Sequence, residues 1–261
     1  MSLANPIELN NGILMPRIHL GVYMTSGTET SIAVTHALAA GYRAIDSAEW
    51  YANEREVGSS ILKYLERNKD QGVKREDIWF TTKLKENRGY DHTRKSIKEI
   101  RMDAGRAKRA ECWRAVEDAV EDGEVRAGGV SNFGVKHLQE LLDSKPKTIP
   151  AVNQVEVHPF NTRTDITSFC QKNGIVVEAY APLARALRMK HPKVVQLSQK
   201  YGCTPAQLLV RWGLQHGYVP LPKSVTKERI IANLDVGGFE IDEEGMKVLD
   251  GCDEYLVTDC Q

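Results

Sequence analysis

The sequence lacks the features that mark membrane, secreted and nucleic-acid-binding proteins. Its 261 residues include 35 Lys and Arg and 35 Asp and Glu, so no net charge attracts nucleic acid or an anionic membrane. No apolar run approaches the roughly 18 residues that a membrane-spanning helix needs. Residues 1–12 have neither the basic start nor the apolar core of a signal peptide. These absences predict a cytoplasmic globular protein without nucleic-acid or membrane partners.

Paired cysteines are absent as well. The five cysteines are scattered and form no CxxC pair: Cys112, Cys170, Cys203, Cys252 and Cys260. An odd number of scattered thiols argues against a disulfide framework and against a structural zinc site. We therefore expect free thiols in a reducing compartment and no bound metal.

No low-complexity linker divides the chain, so we expect one domain over residues 1–261. Short runs rich in β-branched and aromatic residues alternate with longer stretches of helical periodicity. The predicted strands are residues 18–22, 42–45, 78–82, 125–130, 152–155, 175–179 and 219–221. The predicted helices include residues 28–40, 53–68, 91–101, 108–121, 135–142 and 227–234, and one that starts after Thr204 and stops at Gly217.

This alternation predicts an α/β fold. Strands and helices joined by short loops imply parallel strands with right-handed crossovers. About 260 residues of such a pattern favour a (β/α)8 TIM barrel over an open doubly wound sheet. An open sheet that binds a dinucleotide would carry a GxGxxG turn after its first strand, and residues 21–27 do not have that spacing.

The predicted barrel is one strand short. Residues 83–124 contain two helices and no candidate strand, because residues 101–106 are polar and lack β-branched side chains. A hydrogen-bonded barrel cannot skip a strand without leaving two unpaired edges. Either a strand-containing segment is absent between about Ile100 and Arg106, or the barrel closes in an irregular way.

Three residues with catalytic chemistry follow two of the predicted strands. Asp46 ends the second strand, Tyr51 stands in the next loop, and Lys83 follows the third strand. The loops after the strands of a barrel form its active-site face. A tyrosine is an effective acid near neutral pH when a cation lowers its pKa, and a carboxylate keeps the lysine charged and in place. Taken alone, each residue is more commonly a surface or packing residue.

Six motifs, in order along nearly the whole chain, resemble the aldo-keto reductase family. They are Tyr42-Arg43-Ala44-Ile45-Asp46-Ser47-Ala48 with Tyr51, Asn53, Glu54, Val57 and Gly58; Thr81-Thr82-Lys83-Leu84; Val130-Ser131-Asn132-Phe133; Val152-Asn153-Gln154-Val155-Glu156 with His158-Pro159; Ala179-Tyr180-Ala181-Pro182-Leu183; and Leu221-Pro222-Lys223-Ser224. The resemblance implies a single barrel that reduces aldehydes or ketones with NADPH. It also implies that Tyr51 donates the proton, with Asp46 and Lys83 tuning it.

The resemblance assigns residues to the nicotinamide half of NADPH. Ser131, Asn132 and Gln154 match residues that hydrogen-bond the nicotinamide carboxamide, and Tyr180 matches the aromatic residue that stacks on the ring. A planar face orients the ring at little entropic cost. Taken alone, Ser131 and Asn132 would be interpreted as a helix cap. Further expected cofactor contacts are Gly21, Val22 and Leu183.

The adenosine half of the cofactor is assigned in the same way. The residues that match the 2′-phosphate site are Lys223, Ser224, Val225 and Arg229, and Asn233 matches the residue that holds the adenine. Two cations near a helix N-terminus form an anion site. Without the other motifs, the same cations would be interpreted as solvated surface charge. With them, NADPH is expected over NADH.

The expected substrate pocket includes Tyr23 and Trp50, with Trp79 and the tail of residues 253–261 as further candidates. Aromatic walls suit aldehydes or ketones with apolar bodies. The chain departs from the family at the fourth strand, which should end in a catalytic histidine that this sequence lacks. Two hypotheses follow: a working NADPH-dependent reductase, or a nicotinamide-binding protein whose catalysis is impaired or lost. A monomer and a dimer are both compatible with the sequence.

Overall fold

The structure is a computed structural model in which residues 5–85, 89–99 and 106–259 are described, except for the side chains of residues 96–99 and 106–108. The strands are β1 (Ile7–Glu8), β2 (Leu14–Met15), β3 (Leu20–Gly21), β4 (Ala44–Asp46), β5 (Trp79–Thr81), β6 (Gly129–Ser131), β7 (Val152–Glu156), β8 (Val176–Tyr180) and β9 (Val219–Pro220). The helices are α1 (Gly27–Ala40), α2 (Glu54–Arg67), α3 (Tyr90–Glu99), α4 (Arg106–Glu121), α5 (Val135–Asp143), α6 (Thr164–Lys172), α7 (Pro192–Lys200), α8 (Pro205–Gln215), α9 (Lys227–Leu234) and α10 (Glu243–Asp250).

Local sequence signals set several helix ends where they were expected. The Thr204 hydroxyl accepts from the Gln207 backbone amide, the Gln207 side chain accepts from the Thr204 amide, and Pro205 occupies the first helical position of α8. This reciprocal arrangement satisfies amide donors that the helix itself cannot pair. Helix α1 ends at Gly41, whose φ of 105° lies in the left-handed region that glycine adopts without strain.

The parallel strands form one incomplete ring. One sheet has the order β3-β4-β5 and another has the order β6-β7-β8-β9. A parallel bridge between Gly21 and Lys223 joins them, and the His19 amide donates to Pro220 O at 3.2 Å. The order around the barrel is therefore β6-β7-β8-β9-β3-β4-β5, and in the described part of the chain no strand lies between β5 and β6. The expected break between Ile100 and Arg106 falls on residues 100–105, outside the described residues.

The predicted strand at residues 125–130 is displaced. Strand β6 starts only at Gly129. The segment before it is bonded instead to the residues that lead into β5, on the other side of the opening between β5 and β6. The Arg126 guanidinium donates to Glu76 O at 3.0 Å and to Ile78 O at 3.1 Å, and it lies 4.5 Å from the centroid of the Trp79 ring. A side chain thus occupies part of the β5 edge that a neighbouring strand would pair.

The hairpin of β1 and β2 was not predicted, because two-residue strands are too short to show alternation. It pairs Ile7 with Met15, and Met15 is fully buried against an interior cluster that includes Trp79, Val219 and Leu221. The hairpin therefore packs against the apolar interior of the barrel. Within the described residues, no helix is long and apolar enough to cross a membrane.

Candidate active site

Asp46 and Lys83 form a buried ion pair at the C-terminal ends of two adjacent strands. Lys83 Nζ donates to both Asp46 carboxylate oxygens, at 2.7 and 2.8 Å, and to Ser47 O at 2.6 Å. The Asp46 side chain is 5% exposed and that of Lys83 is 20% exposed. Lys83 Nζ lies 5.1 Å from the centroid of the Tyr51 ring. The three residues that the sequence marked as catalytic therefore lie together.

The loop that carries Tyr51 is held by a buried asparagine. Tyr51 ends the 3₁₀ turn Glu49–Tyr51 that follows β4. The Asn53 amide donates to Val22 O at 2.9 Å and to Thr25 O at 3.0 Å, and its Oδ1 accepts from Ser47 Oγ at 2.6 Å. Asn53 thus ties the loop after β4 to the loop after β3, where the Tyr23 ring lies 4.9 Å from that of Tyr51.

The residues assigned to the nicotinamide come from three neighbouring strand ends. Ser131 Oγ donates to Gln154 O at 3.0 Å, the Tyr180 hydroxyl donates to Asn132 Oδ1 at 3.1 Å, and Gln154 Nε2 donates to Asp46 Oδ1 at 2.9 Å. These bonds connect the β6, β7 and β8 ends to the Asp46–Lys83 pair. Helix α5 has Gly134 as its N-cap, so the helix-cap interpretation of Ser131 and Asn132 is wrong.

The residues assigned to the 2′-phosphate lie between β9 and the start of α9. The N-cap Thr226 makes no side-chain cap, and Ser224 Oγ accepts from the Thr226 amide at 3.2 Å. Lys223 and Arg229 are exposed, and neither forms an ion pair with a described carboxylate. Asn233 follows Arg229 by four residues, on the same side of α9. Two uncompensated cations and an uncapped helix N-terminus fit a phosphate group.

The other expected cofactor residues lie beside this site. A Cβ on Gly21 would meet Leu221 O at 3.2 Å, so this position tolerates little more than glycine. The Val22 side chain is fully buried among α1, α2 and α8 residues, and its backbone amide and carbonyl are bonded to Asp46 and Asn53, so it supports the site without offering a free polar group. Leu183 is half-buried in the loop after β8.

Two of the expected substrate-pocket residues lie beside Tyr51, and the further candidate Trp79 lies at the other end of its strand. Tyr23 packs on Tyr51, and Trp50, adjacent to Tyr51 in the chain, is 66% exposed. Trp79 starts β5, so it lies at the opposite end of that strand from Lys83. Its Nε1 donates to Thr81 Oγ1 at 2.9 Å. Trp79 therefore lies deeper in the barrel than Lys83, where it lines the opening between β5 and β6.

The C-terminal tail is attached to the end of β7. Glu156 accepts from the Thr258 amide at 2.8 Å and from the Asp259 amide at 3.1 Å. Arg185, in the loop after β8, donates to Thr258 O at 3.2 Å. The tail up to residue 259 thus lies at the same rim as Asp46, Tyr51 and Lys83, its lining of a substrate pocket stays a prediction, and residues 260–261 are outside the described part.

A cleft of about 880 Å³ opens between β5 and β6, where the ring is incomplete. Its catalytic end is lined by Lys83, Ser131 and Gln154, and its outer wall by Cys112 and Trp113 of α4. No histidine is among the described residues that line it. In the described part of the chain, the opening beside Lys83 thus lies where the resemblance implies a fourth strand that ends in a histidine.

Two interior residues of the site were missed at the level of sequence. Glu178 of β8 is 1% exposed, and its Oε2 accepts from Gln154 Nε2 at 2.7 Å. His19, which is 0% exposed, places Nδ1 3.6 Å from Glu178 Oε1. Burial raises the pKa of Glu178 to about 7 and lowers the pKa of His19 to about 4. The available signal was the period of two along β8, which puts Glu178 on the same face as Tyr180.

Comparison with known proteins identifies the family. The Aldo/keto reductase family model matches residues 18–109 and 103–254, two stretches that meet near the expected break. An uncharacterized oxidoreductase of Schizosaccharomyces pombe is 43% identical over 269 residues, covering 98% of this chain and 97% of its own. Because that alignment is longer than this chain of 261 residues, the relative carries residues that are absent here.

Two further relatives bear on activity and fold. Glyoxal reductase of Bacillus subtilis is 39% identical, covering 95% of this chain and 93% of its own. The crystal structure of a Bombyx mori aldo-keto reductase in complex with NADP superposes with a TM-score of 0.91, at 27% identity, covering 100% of this chain and 96% of that one. The (β/α)8 barrel expected from the sequence is thereby confirmed. The chain belongs to the aldo/keto reductase family and is an NADP-dependent oxidoreductase.

Proposed function

We propose that this protein reduces an aldehyde or ketone to an alcohol with NADPH. The observation that carries the proposal is the Asp46–Lys83 ion pair, which lies beside Tyr51 and is hydrogen-bonded to Gln154. It brings a proton donor, a fixed positive charge and the residues assigned to the nicotinamide to one rim. The glyoxal reductase among the relatives makes small aldehydes the first substrates to test.

Tyr51 is assigned the proton transfer. Its hydroxyl donates a proton to the carbonyl oxygen, and the Lys83 ammonium stabilises the negative charge that this leaves on the phenol oxygen. Asp46 keeps Lys83 charged and in place. NADPH, when bound, supplies the hydride, which is the cofactor's own chemistry. The protein thus contributes position, a proton and charge stabilisation.

The residues at the β6, β7 and β8 ends are assigned to orienting the nicotinamide. Ser131, Asn132 and Gln154 offer hydroxyl and amide groups of the kind that pair with a carboxamide. The Tyr180 ring offers a flat face at the end of β8. An oriented ring presents one face to the carbonyl, and the proposed reduction requires that placement.

Arg229→Ala is expected to reduce the preference for NADPH over NADH by about tenfold. A charge-assisted contact with phosphate is worth about 1.5–3 kcal/mol before discounting for exposure, and 1.4 kcal/mol corresponds to tenfold. Fluorescence titration of both cofactors measures the effect. NADH affinity should hardly change, and Lys193→Ala, which removes an exposed cation from the first turn of α7, should affect neither cofactor. Equal affinities for NADPH and NADH in the unmodified protein would refute the phosphate assignment.

The proposed activity is tested with a panel of aldehydes and ketones, glyoxal included, by following NADPH absorbance. Aldehyde-dependent NADPH oxidation, with the alcohol recovered in equal amount, is the expected result. Stoichiometric NADPH binding without oxidation of any compound in the panel would contradict it.

The cleft between β5 and β6 favours a second candidate function. Its lining contains no histidine among the described residues, so the catalytic set that the family implies is incomplete. A protein that binds NADPH but reduces carbonyl substrates slowly would fit this arrangement. The two candidates separate when cofactor binding and turnover are measured on one sample. Added imidazole, a small general acid that could enter the cleft, should raise the rate only if the missing group limits turnover.

A further inference from the structure

A chain of buried polar side chains crosses the barrel interior next to Lys83. Gln154 and Glu178 are register partners in β7 and β8. Gln154 Nε2 donates to Glu178 Oε2 at 2.7 Å and to Asp46 Oδ1 at 2.9 Å. Lys83 donates to both oxygens of the same Asp46 carboxylate. Glu178 is thus connected to the ion pair through one amide group.

This arrangement determines which way the Gln154 amide points. The amide nitrogen has two hydrogens, and two carboxyl groups take both. If the amide were reversed, its oxygen would face the Asp46 carboxylate, which has no hydrogen to donate. The orientation therefore follows from the chemistry of the neighbours. It leaves only Oε1, an acceptor, for a ligand.

Glu178 faces an unpaired acceptor on its other side. His19 Nε2 lies 3.0 Å from Pro16 O, and because a carbonyl only accepts, Nε2 carries a hydrogen. The buried Nδ1 has no hydrogen-bond partner in the described part of the chain, and it points at Glu178 Oε1, 3.6 Å away. Two acceptors face each other across this gap. A proton on Oε1 removes this conflict, because an O–H then faces the lone pair of Nδ1.

The surroundings of the pair place that proton on the carboxyl group. Burial, followed by the nearby Asp46 charge, raises the pKa of Glu178, while Gln154 and Lys83 oppose the shift. Burial lowers the pKa of His19, against the effects of Asp46 and the Pro16 carbonyl and together with that of Lys83. Both shifts favour a neutral acid beside a neutral imidazole over an ion pair.

We propose that Glu178 is a positioning residue of the nicotinamide site: as a neutral acid between His19 and Gln154, it fixes the Gln154 amide so that Oε1 accepts from the amino group of the carboxamide. The inference rests on the proposed role of Gln154 in cofactor binding. Glu178 acts through Gln154 and does not itself touch the cofactor.

The test compares two replacements of Glu178 by direct titration of NADPH binding at pH 6. In Glu178→Gln, the amide N–H faces His19 Nδ1 and the amide oxygen accepts from Gln154, so this conservative variant should bind within about twofold of the unmodified protein. Glu178→Met removes the acceptor and frees the Gln154 amide, and we expect about tenfold weaker binding, the loss of one buried hydrogen bond. If both variants bind alike, whether strongly or weakly, the inference is wrong.

Gln154→Met separates this inference from the proposed function. It should weaken NADPH binding by itself, and the double variant Gln154→Met/Glu178→Met should bind no more weakly than Gln154→Met alone, because both changes remove the same interaction. Unaltered binding in Gln154→Met would contradict the proposed nicotinamide site. Weaker binding in Gln154→Met but not in Glu178→Met would contradict only the positioning role.

A second readout, the pH dependence of unfolding, needs no cofactor. Burial raises the pKa of Glu178 in the folded protein from 4.5 to about 7. The contribution of Glu178 to the stability of the folded protein therefore falls as the pH rises through this range. Burial lowers the pKa of His19 in the folded protein from 6.5 to about 4. The contribution of His19 to the stability of the folded protein therefore rises as the pH rises through this range. In the unmodified protein the two trends cancel between about pH 4.5 and 6.5.

Each single replacement should reveal the other trend. In Glu178→Gln, the unfolding equilibrium constant should fall by about tenfold per pH unit, relative to the unmodified protein, as the pH rises from 4.5 to 6.5. In His19→Asn it should rise by about as much. Urea titrations at several pH values measure both. Parallel pH profiles for the three proteins would overturn the assignment of a neutral Glu178 beside a neutral His19.

Discussion

Replacing Tyr51 with phenylalanine is expected to lower kcat for aldehyde reduction by about a hundredfold to ten-thousandfold, the usual worth of a positioned general acid. The change removes only the hydroxyl. The ring, which packs on Tyr23 and lies near Lys83, stays in place. NADPH affinity should therefore be retained while turnover is lost. Steady-state kinetics and cofactor titration on the same sample make this distinction.

Tyr64→Phe is the matched control for the loss of a phenol hydroxyl. Tyr64 lies in α2, where its ring packs against Arg43, and its replacement should leave kcat unchanged. Turnover that survives in Tyr51→Phe would refute the assignment of the proton donor. A parallel loss of NADPH binding would instead indicate that the variant distorts the loop of residues 49–53.

Asp46→Ala is expected to cause the largest loss of stability. It leaves the Lys83 ammonium, 20% exposed, without its carboxylate partner, and it removes an acceptor from Gln154. Breaking a buried ion pair by removing one partner costs about 3–5 kcal/mol, because the remaining charge is uncompensated. The partial exposure of Lys83 places the expected loss near the lower end, about 3 kcal/mol. Urea denaturation measures it.

Two further variants identify the cause of that loss. Glu243→Ala breaks the Lys247–Glu243 pair, which has a similar distance of 2.6 Å but is exposed to solvent, so the unfolding midpoint should hardly change. The double variant Asp46→Ala/Lys83→Met should be more stable than Asp46→Ala, because no unpaired charge remains. If Asp46→Ala and Glu243→Ala behave alike, burial does not govern the strength of the Asp46–Lys83 pair.

The sequence predicted the alternation of strands and helices correctly, but it placed the start of β6 too early. Strand–helix alternation and the ends of α1 and α8 were correct, because capping at Gly41 and Thr204 depends on residues within one or two turns. Seven barrel strands were expected and seven are present among the described residues. The start of β6 was wrong, because Arg126 pairs with the β5 edge across the gap. No local pattern contains that contact.

The catalytic cluster was accessible from sequence for a specific reason. Asp46, Tyr51 and Lys83 all follow the C-terminal ends of strands, and a parallel barrel brings such positions to one face. Glu178 and His19 were not accessible in that way. Their side chains meet only inside the barrel, and their roles depend on burial and on neighbours from several strands.

The sequence by itself thus determined the α/β class, the order of the strands, the family and the residues at the barrel rim, since all of these are written in local patterns and in motif order. Only the tertiary structure decided how the ring is left open between β5 and β6, which end of β5 holds Trp79, and that Glu178 and His19 meet in the interior. The physical reason is that strand pairing, burial and the pKa of a buried group are non-local. Each depends on atoms brought together by residues far apart in the chain.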